Sequence, residues 1–490
     1  MSIGTGTHAI VLDGSVTAGR DELGGKAWGI NRMRALGLPV PAAFVLPTLT
    51  CRQFLAAGRL PDGLADALRD GICSLEGATG RGFLDPTRPL LVSVRSGAPM
   101  SMPGMMDTLL NLGLDDTSAA GLIATGGDTA WVADLRRRFE EQYRAMLGPD
   151  EHPSPDPWRQ LEQAVAAVFR SWNSPRAQAY RAHHGIDPQC GTAVTVQAMV
   201  FGNLDENSGT GVLFTRNPLT GDPAVYGEWL PRAQGEDVVS GSHTPLPLDA
   251  LRVALPAVHA ELIAHAAGLE SEQRDVQDIE FTVEQGRLHI LQTRTAKRAP
   301  RAAVRIAVEL VTDGLITPAE ALAKISPAQV AGVLSPGLSA EVRAAAVLLA
   351  RGEPACPGVA VGRVVTDPDE AADLGEEHVP VVLVRPSTSP DDVPGMLASV
   401  AVVTEHGGST SHAALVCREL GIACVVGCGD GLVTALAGRT VTVDGGTGEI
   451  FDGALLAEPA DLAQDPHLGQ LRIWCQELGG YPDLLAALGS

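Results

Sequence analysis

The chain reads Thr404-Glu405-His406-Gly407-Gly408-Ser409-Thr410-Ser411-His412-Ala413-Ala414 through a run of small, flexible and hydroxyl-bearing residues. The residues that follow are mostly helix formers as far as Leu420, and Gly421 comes next. Because glycine readily adopts the left-handed conformation that ends a helix, this pattern predicts a helix that stops at Gly421. His412 therefore lies in the first turn of the predicted helix.

The position of His412 suits a residue that carries a phosphoryl group. The positive end of a helix disfavours a charged imidazolium ring, which leaves one ring nitrogen unprotonated and able to attack phosphorus. Unpaired backbone N–H groups at the same end can receive the phosphate, and Gly407 and Gly408 leave room for a bulky donor. The alternative is a histidine that only packs or caps the helix, and the residues around His412 favour the carrier.

Length and charge narrow the class of protein. A chain of 490 residues, 45% of them hydrophobic, is too long for one core and predicts several globular domains. The 36 Lys and Arg residues against 58 Asp and Glu residues give a net charge of −22, which disfavours nucleic acid and anionic membranes as partners. An acidic protein that handles nucleotides must concentrate its cations locally and bind divalent metal.

No targeting or membrane segment is predicted. The sequence has no apolar run of about 18 residues and no signal peptide at its start, so a cytoplasmic location is expected. The eight cysteines are scattered without a CxxC pair, and we expect reduced, structural thiols. The sequence leaves the oligomeric state open, with a homodimer among the alternatives.

The order of predicted elements indicates an α/β and α+β multidomain protein. We expect a region of two parts, a connector of short helices, a compact α/β domain that contains His412, and a helical tail. The two-part region is expected at 1–298, with parts of about 1–190 and a mainly strand-forming 191–298. The helical connector is expected at 299–351, the α/β domain at 352–456 and the helical tail at 457–490.

Local patterns within the first region predict individual elements. Residues 90–96 predict a strand that delivers Arg95 to its end, and strand ends in α/β proteins commonly form ligand sites. Helical periodicity covers residues 128–147 and 157–183, on either side of a proline-rich connector. Residues 284–287 have the composition of a hairpin turn.

Charged residues in the first 300 positions fit a site for nucleotide phosphates. Breaking a phosphoanhydride requires positive charge on the phosphates and a metal ion that offsets developing charge. Lys26, Arg95 and Arg294 offer that positive charge. Asp278 and Glu280 stand at i and i+2 on one predicted strand, so their carboxylates face the same side and can hold Mg²⁺. Each residue also has an alternative role. Lys26 could be a solvated lysine, Arg294 could form a structural ion pair with Glu280, and Asp278 and Glu280 could form a polar sheet face.

The segment around His412 resembles the phosphohistidine segment of the pyruvate, phosphate dikinase family, whose Gly-Gly-x-Thr-Ser-His-Ala-Ala pattern is met at residues 407–414. The first 300 residues resemble the ATP-grasp nucleotide domain of the same family. That part of the resemblance rests on matches, in the family's order, at residues 24–27, 36–41, 94–97, 101–108, 201–203, 208–211, 214–218, 234–239, 277–281 and 291–294. The resemblance implies an ATP-grasp domain, a helical linker and a swivelling phosphohistidine domain.

The resemblance also implies roles for single residues. It makes His412 the phosphorylated residue and gives Arg95 and Arg294 catalytic contacts with the ATP phosphates. Thr410 matches a regulatory phosphorylation site of some members, and a helix cap or loop hydroxyl is its alternative role. The other implied ligands are Lys26 on the ATP phosphates, Gly104 in a phosphate-covering loop, Glu236 on the nucleoside side, and Glu280, Gln292 and Asp278 around Mg²⁺.

Members of the family continue into a (β/α)₈ barrel that binds phosphoenolpyruvate or pyruvate. The residues between Gly453 and Ser490 are too few to encode one. We therefore expect this chain to support the ATP half-reaction, with a separate barrel subunit or a small-molecule acceptor receiving the phosphoryl group. The proline-rich connector at 148–157 is shorter than the helical insertion common in the family, and the nucleotide site is expected to be intact.

Three functions follow from these observations. In the favoured one, ATP and inorganic phosphate phosphorylate His412, AMP and diphosphate leave, and the phosphoryl group passes to pyruvate. In the second, it passes to a different small molecule, as in the related rifampicin phosphotransferases. The third is a non-catalytic regulatory subunit, against which the presence of the charged residues and His412 argues. Either enzymatic function predicts a domain that swivels on connectors near 340–356 and 452–465.

Overall fold

The computed structural model describes residues 9–488, except residues 101, 103–104, 149, 240–242, 244 and 459–464. The described chain forms two compact units, one of residues up to 209 together with 282–293, and one of residues 210–281 together with 294 onward. Within the described residues, no helix has both the length and the apolar character needed to cross a membrane.

The first unit is built on an antiparallel sheet flanked by helices. Its elements are β1 (Ile10–Val11), α1 (Arg20–Ala35), β2 (Ala43–Leu46), α2 (Thr48–Ala57), α3 (Leu64–Thr79), β3 (Val92–Gly97), β4 (Thr108–Leu112), α4 (Asp116–Ala124), α5 (Thr129–Leu147), α6 (Pro157–Ser171), α7 (Pro175–His184) and β5 (Ala193–Ala198). The strand order is β1-β2-β5-β3-β4, with antiparallel neighbours. Phe44, Val94 and Val196 from the strands are buried in one core with Phe139 and Phe169 from the helices.

The predicted strand at 90–96 and helix at 128–147 are confirmed as β3 and α5. The helical periodicity predicted over 157–183 is confirmed, but it is divided between α6 and α7. The chain forms two helices there, because Ser174 accepts the Ala177 N–H as an N-cap and Pro175 begins α7. The structure also places β5 between β2 and β3, so the first sheet extends past the subdomain boundary expected near residue 190.

The middle of the chain contains a second sheet and several helices. Its elements are β6 (Gly209–Phe214), β7 (Tyr226–Pro231), α8 (Gly235–Val239), β8 (Leu246–Pro247), α9 (Asp249–Ala254), α10 (Pro256–Gln273), β9 (Gln277–Glu284) and β10 (Arg287–Thr295), with strand order β10-β9-β6-β7-β8. The predicted hairpin is confirmed, since Gln285 and Gly286 both take left-handed φ values of 51° and 74°. The mainly-strand prediction missed α10, which Pro256 begins and whose Val258, Leu262, Ala266 and Leu269 are buried.

Short helices follow, as predicted, and they share a core with the end of the chain. They are α11 (Pro300–Thr312), α12 (Pro318–Lys324), α13 (Pro327–Val333) and α14 (Ala340–Ala345), with α19 (Pro466–Leu478) and α20 (Pro482–Ala487) near the C-terminus. Ile306 and Leu310 of α11 lie in one buried cluster with Leu471 and Trp474 of α19. The C-terminal helices therefore pack on the connector helices within the second unit.

The third sheet carries the His412 segment. Its elements are β11 (Leu348–Arg351), β12 (Glu353–Cys356), β13 (Val359–Val365), α15 (Pro368–Glu376), β14 (Val381–Arg385), α16 (Val393–Ala398), β15 (Ala401–Thr404), α17 (His412–Leu420), β16 (Ala423–Val426), α18 (Leu432–Leu436), β17 (Thr440–Asp444) and β18 (Glu449–Asp452). Among the described residues the strand order is β11-β18-β17-β13-β14-β15-β16-β12. The sheet begins at Leu348, four residues before the expected domain start at 352.

The two edge strands of this sheet, β11 and β12, are consecutive in the chain and joined by Gly352 alone. The sheet therefore curls until its edges meet at that residue. A Cβ atom on Gly352 would lie 2.4 Å from the Val426 carbonyl oxygen, so the closure requires glycine. Within the sheet β14, β15 and β16 run parallel, which brings their carboxyl ends to one edge.

Candidate active site

His412 lies at the edge where the parallel strands end. The loop after β15 leads to Ser411, whose extended φ and ψ of −63° and 163° start α17, and His412 is its first residue. The helix ends at Gly421, which has a left-handed φ of 72°. Both the predicted start and the predicted end of this helix are confirmed. Carboxyl ends of parallel strands are the usual place for a ligand in α/β folds.

One nitrogen of the His412 ring is held and the other is not. Nδ1 lies 3.0 Å from Oγ1 of Thr388, in the loop after β14. Nε2 is buried and has no hydrogen-bond partner in the described part of the chain. Burial lowers the pKa of His412 to about 4, against the opposing effect of the Asp392 carboxylate. The predicted neutral imidazole is confirmed, but burial is the main cause of its lowered pKa. Sequence reasoning missed Thr388, although its place after a buried strand was a usable signal.

Glu228 of β7 anchors the loop before His412. Its Oε1 accepts hydrogen bonds from the Ser409 backbone N–H and from the Ser409 hydroxyl, both at 2.9 Å. Its second carboxylate oxygen, Oε2, accepts one from the Thr410 hydroxyl. Thr410 is buried and does not cap α17, and its role as a regulatory phosphorylation site stays a prediction. Glu228 lies 181 residues from Ser409 in the chain, so no local pattern pointed to it.

Gly408 is needed where the loop approaches Glu228. A Cβ atom there would lie 2.5 Å from Glu228 Oε1, which leaves no space for a side chain. The Tyr226 hydroxyl extends this network, at 2.5 Å from Ser409 Oγ and 2.8 Å from Glu353 Oε1. Burial raises the pKa of Glu228, which favours its protonated form. The room predicted for a phosphoryl donor at Gly408 is thus occupied by this carboxylate.

In the first unit, Lys26 lies beside the end of β3. Gly24 interrupts α1 with φ and ψ of 75° and 156°, and a Cβ atom on it would lie 1.8 Å from the Gly97 carbonyl oxygen. The Gly25 N–H donates to the Ala98 carbonyl at 2.9 Å. A Cβ atom on Gly97 would lie 3.3 Å from Lys26 Cβ. The glycine pair thus brings Lys26 next to the strand that contains Arg95.

A contact that sequence reasoning missed holds the segment near Met105. Arg176 of α7 forms an ion pair with Asp107, and its Nε donates to the Met105 carbonyl oxygen at 3.3 Å. Gly104, the predicted phosphate-covering glycine, lies outside the described residues. The start of α7, created by the break after α6, is what brings an arginine to this segment.

In the second unit, three of the predicted ligands lie together. Arg294 Nε donates to Asp278 Oδ2 at 2.7 Å across the β9–β10 hairpin, so Asp278 is a structural partner of Arg294 that the sequence did not indicate. Burial raises the pKa of Asp278, the nearby positive charge of Arg294 lowers it, and the negative charge of Glu280 adds to the rise. Asp278 Oδ1 is buried without a hydrogen-bond partner, as an oxygen that awaits a cation would be.

The last two predicted ligands lie on neighbouring elements. Gln292 is two residues before Arg294 on β10, which places both side chains on one face of that strand. Glu236 lies half-buried in α8, directly after β7. The carboxylate and amide oxygens of Asp278, Glu280 and Gln292 are donors of the kind that Mg²⁺ prefers.

Two separate ranges of the chain match known protein families. Residues 59–257 match the family described as "Pyruvate phosphate dikinase, AMP/ATP-binding domain", and residues 378–448 match "PEP-utilising enzyme, mobile domain". The α/β multidomain chain thus joins a region similar to an AMP/ATP-binding domain and a region similar to the mobile domain of PEP-utilising enzymes.

Relatives about 40% identical to this chain are named pyruvate, phosphate dikinase. Pyruvate, phosphate dikinase of Rhizobium meliloti (strain 1021) is 41% identical over 93% of this chain and 58% of its own length. The chloroplastic pyruvate, phosphate dikinase 1 of Zea mays is 42% identical over 94% of this chain and 54% of its own length. The pyruvate, phosphate dikinase of Clostridium symbiosum is 39% identical over 91% of this chain and 58% of its own length. The chain is similar to these pyruvate, phosphate dikinases over more than nine tenths of its own length, and it spans little more than half the length of these relatives.

Proposed function

We propose that ATP, together with inorganic phosphate, phosphorylates His412 and leaves as AMP and diphosphate. The observation that carries this proposal is the state of the ring: Nε2 is buried and unpartnered, while Nδ1 meets Thr388 at 3.0 Å. An imidazole that is neutral at pH 7 and has one nitrogen without a hydrogen bond is a ready nucleophile. The names of the relatives support the same reaction.

Thr388 is placed to accept a hydrogen bond in the tautomer that the reaction requires. When Nδ1–H donates to Thr388 Oγ1, the Nε2 lone pair is free to attack. Nε2 forms a bond to the β-phosphorus of ATP as the bond from that phosphorus to the α,β-bridging oxygen breaks, and AMP departs with this oxygen. An oxygen of inorganic phosphate then attacks the γ-phosphorus, whose bond to the β,γ-bridging oxygen breaks. Diphosphate leaves, and one phosphoryl group stays on His412.

The nucleotide-site residues supply charge for these displacements. We propose that Lys26, Arg95 and Arg294 contact the phosphates, where positive charge stabilises the transition state. Asp278, Glu280 and Gln292 would hold Mg²⁺, which when bound offsets the negative charge of the phosphates. The family resemblance supports Gly104 in the covering loop and Glu236 on the nucleoside side.

The phosphoryl group on His412 passes, in this proposal, to pyruvate bound by a phosphoenolpyruvate- and pyruvate-binding barrel outside these 490 residues. The relatives support this acceptor by name, and this chain spans 58% of the Rhizobium meliloti protein. Transfer between two sites requires the domain with His412 to move, which supports the predicted swivel on its connectors.

The test uses ATP labelled with ³²P at the β-position, with and without inorganic phosphate. Wild-type protein should acquire acid-labile label and, with phosphate present, release diphosphate, whereas His412→Asn should acquire none. His406→Asn is the matched control, because His406 is a half-exposed histidine of the same loop whose ring pairs with Asp430 at 3.2 Å. Label retained by His412→Asn, or orthophosphate released in place of diphosphate, would contradict the proposal.

A further inference from the structure

Ser411, the residue before His412, has a buried hydroxyl that the fold does not use. It occupies the N-cap position of α17 and is 3% exposed. Its Oγ nevertheless has no hydrogen-bond partner among the residues that the structure describes. A buried hydroxyl without a partner is costly, and most such groups in proteins are satisfied. The Ser411 hydroxyl is therefore available to donate a hydrogen bond to a ligand.

Three serine N-caps of α-helices in the described part of the chain behave differently. Ser174, Ser326 and Ser339 each accept the backbone N–H three residues later, at 3.3, 3.2 and 3.4 Å. This bond is the usual reason for serine at the start of a helix. Ser411 has the same extended backbone but makes no such bond, so helix capping does not explain its hydroxyl.

The two unpartnered buried atoms stand on consecutive residues at one helix end. Ser411 Oγ and His412 Nε2 both lack hydrogen bonds, and the first turn of α17 adds backbone N–H groups that no earlier carbonyl can receive. An anionic group satisfies all of these at once, because it accepts from the hydroxyl and from the amides while it is bonded to Nε2.

We propose that the Ser411 hydroxyl donates a hydrogen bond to the phosphoryl group carried by His412. This inference deepens the proposed function and rests on it. The serine keeps its proton and forms no covalent bond, so the N–P bond at Nε2 forms and breaks as described above. Ser411 is then a phosphoryl-binding residue that stabilises both the transferring group and the phosphohistidine.

The test compares Ser411→Ala with Ser411→Thr, which keeps the hydroxyl. Loss of a hydrogen bond to a charged group should slow labelling from β-labelled ATP about ten- to hundredfold in Ser411→Ala. Ser411→Thr should label at a rate near that of wild type. Since no capping bond is lost and an unpartnered buried hydroxyl is removed, the melting temperature of Ser411→Ala should be equal to or above that of wild type. Ser326→Ala, which does lose a capping bond, should melt earlier and label normally.

A second arm removes the dependence on ATP. Phosphoramidate, a small reagent that phosphorylates histidine directly, is applied to each variant, with His412→Asn as the background. The phosphohistidine of Ser411→Ala should hydrolyse faster than those of wild type and Ser411→Thr. Equal lifetimes in this arm, or a lowered melting temperature with normal labelling, would overturn the role of Ser411. Failure of wild type to label from ATP, with the lifetime difference intact, would count against the ATP reaction alone.

Discussion

Thr388 and His412 are 24 residues apart in the chain, yet their side chains meet at 3.0 Å. A hydroxyl partner fixes the orientation of the ring, and in the tautomer whose Nδ1–H donates to that hydroxyl the opposite nitrogen is left to react. The reactivity proposed for His412 therefore depends on a residue from another strand end as well as on the motif that contains it.

Thr388→Val tests this dependence, because valine keeps the branched shape and removes the hydroxyl. Without its partner on Nδ1, the ring loses a hydrogen bond worth ~1 kcal/mol, so the rate of His412 labelling should fall several-fold. Rapid-quench measurement with β-labelled ATP gives the rate. Thr388→Ser retains the hydroxyl and should label close to the wild-type rate; equal rates for valine and wild type would rule out this function of Thr388.

The titration of His412 gives a second prediction at the same scale. Burial lowers its pKa to about 4, below the value near 6.5 expected for the unfolded chain. The unfolded state then binds the proton more readily, so this group's contribution to stability is present above about pH 6.5 and is lost as the pH falls toward 4. Histidine ¹⁵N chemical shifts, assigned with His412→Asn, should show a midpoint well below 6. A midpoint near 6.5 would contradict the burial of the ring.

At the scale of elements, strand β7 and the loop before α17 depend on each other. Glu228 receives the Ser409 N–H, the Ser409 hydroxyl and the Thr410 hydroxyl, and Gly408 gives it space. Buried donors of this kind need an acceptor, because each costs ~1–3 kcal/mol when left unsatisfied. The loop that presents His412 is thus ordered by a strand far away in sequence.

Glu228→Ala should loosen this loop, since it removes the acceptor of three hydrogen bonds. We expect faster amide hydrogen exchange over residues 405–412, measured by mass spectrometry. Glu228→Gln keeps one side-chain oxygen as an acceptor. Because burial raises the pKa of Glu228 and so favours its uncharged form, the glutamine variant should increase hydrogen exchange clearly less than the alanine variant. Exchange unchanged in Glu228→Ala would show that the loop is held by other contacts.

At the scale of the whole molecule, the last helices are part of a shared core. Trp474 of α19 is 9% exposed and lies in the same buried cluster as Ile306 and Leu310 of α11. The C-terminal helices thus bury apolar side chains against the connector helices, which precede β11 in the chain.

Trp474→Ala should destabilise this helical core by ~3–5 kcal/mol, the usual cost of deleting a buried aromatic side chain. Urea unfolding followed by circular dichroism gives the change. Ile473→Ala is the matched control, because Ile473 is its neighbour in α19 and is 46% exposed. A comparable loss in both variants would mean that α19 is not packed as described.

Much of the fold could be predicted because its signals are local. The His412 helix ends at a glycine, and Gln285-Gly286 forms the hairpin turn that their residue types favour. Ser174-Pro175 was an equally local signal for the break between α6 and α7, and it was overlooked. The missed helix α10 has apolar residues spread along it, so strand-like runs and helical spacing were difficult to separate.

The sequence by itself determined the similarity to the pyruvate, phosphate dikinases, the two domain types and the helix that begins at His412, because each depends on the order and spacing of neighbouring residues. Tertiary structure alone decided that Thr388 meets Nδ1, that Glu228 holds the loop and that the Ser411 hydroxyl is buried without a partner. Those contacts join residues from separate strands, and the free energy of such a contact depends on distances that only the folded chain establishes.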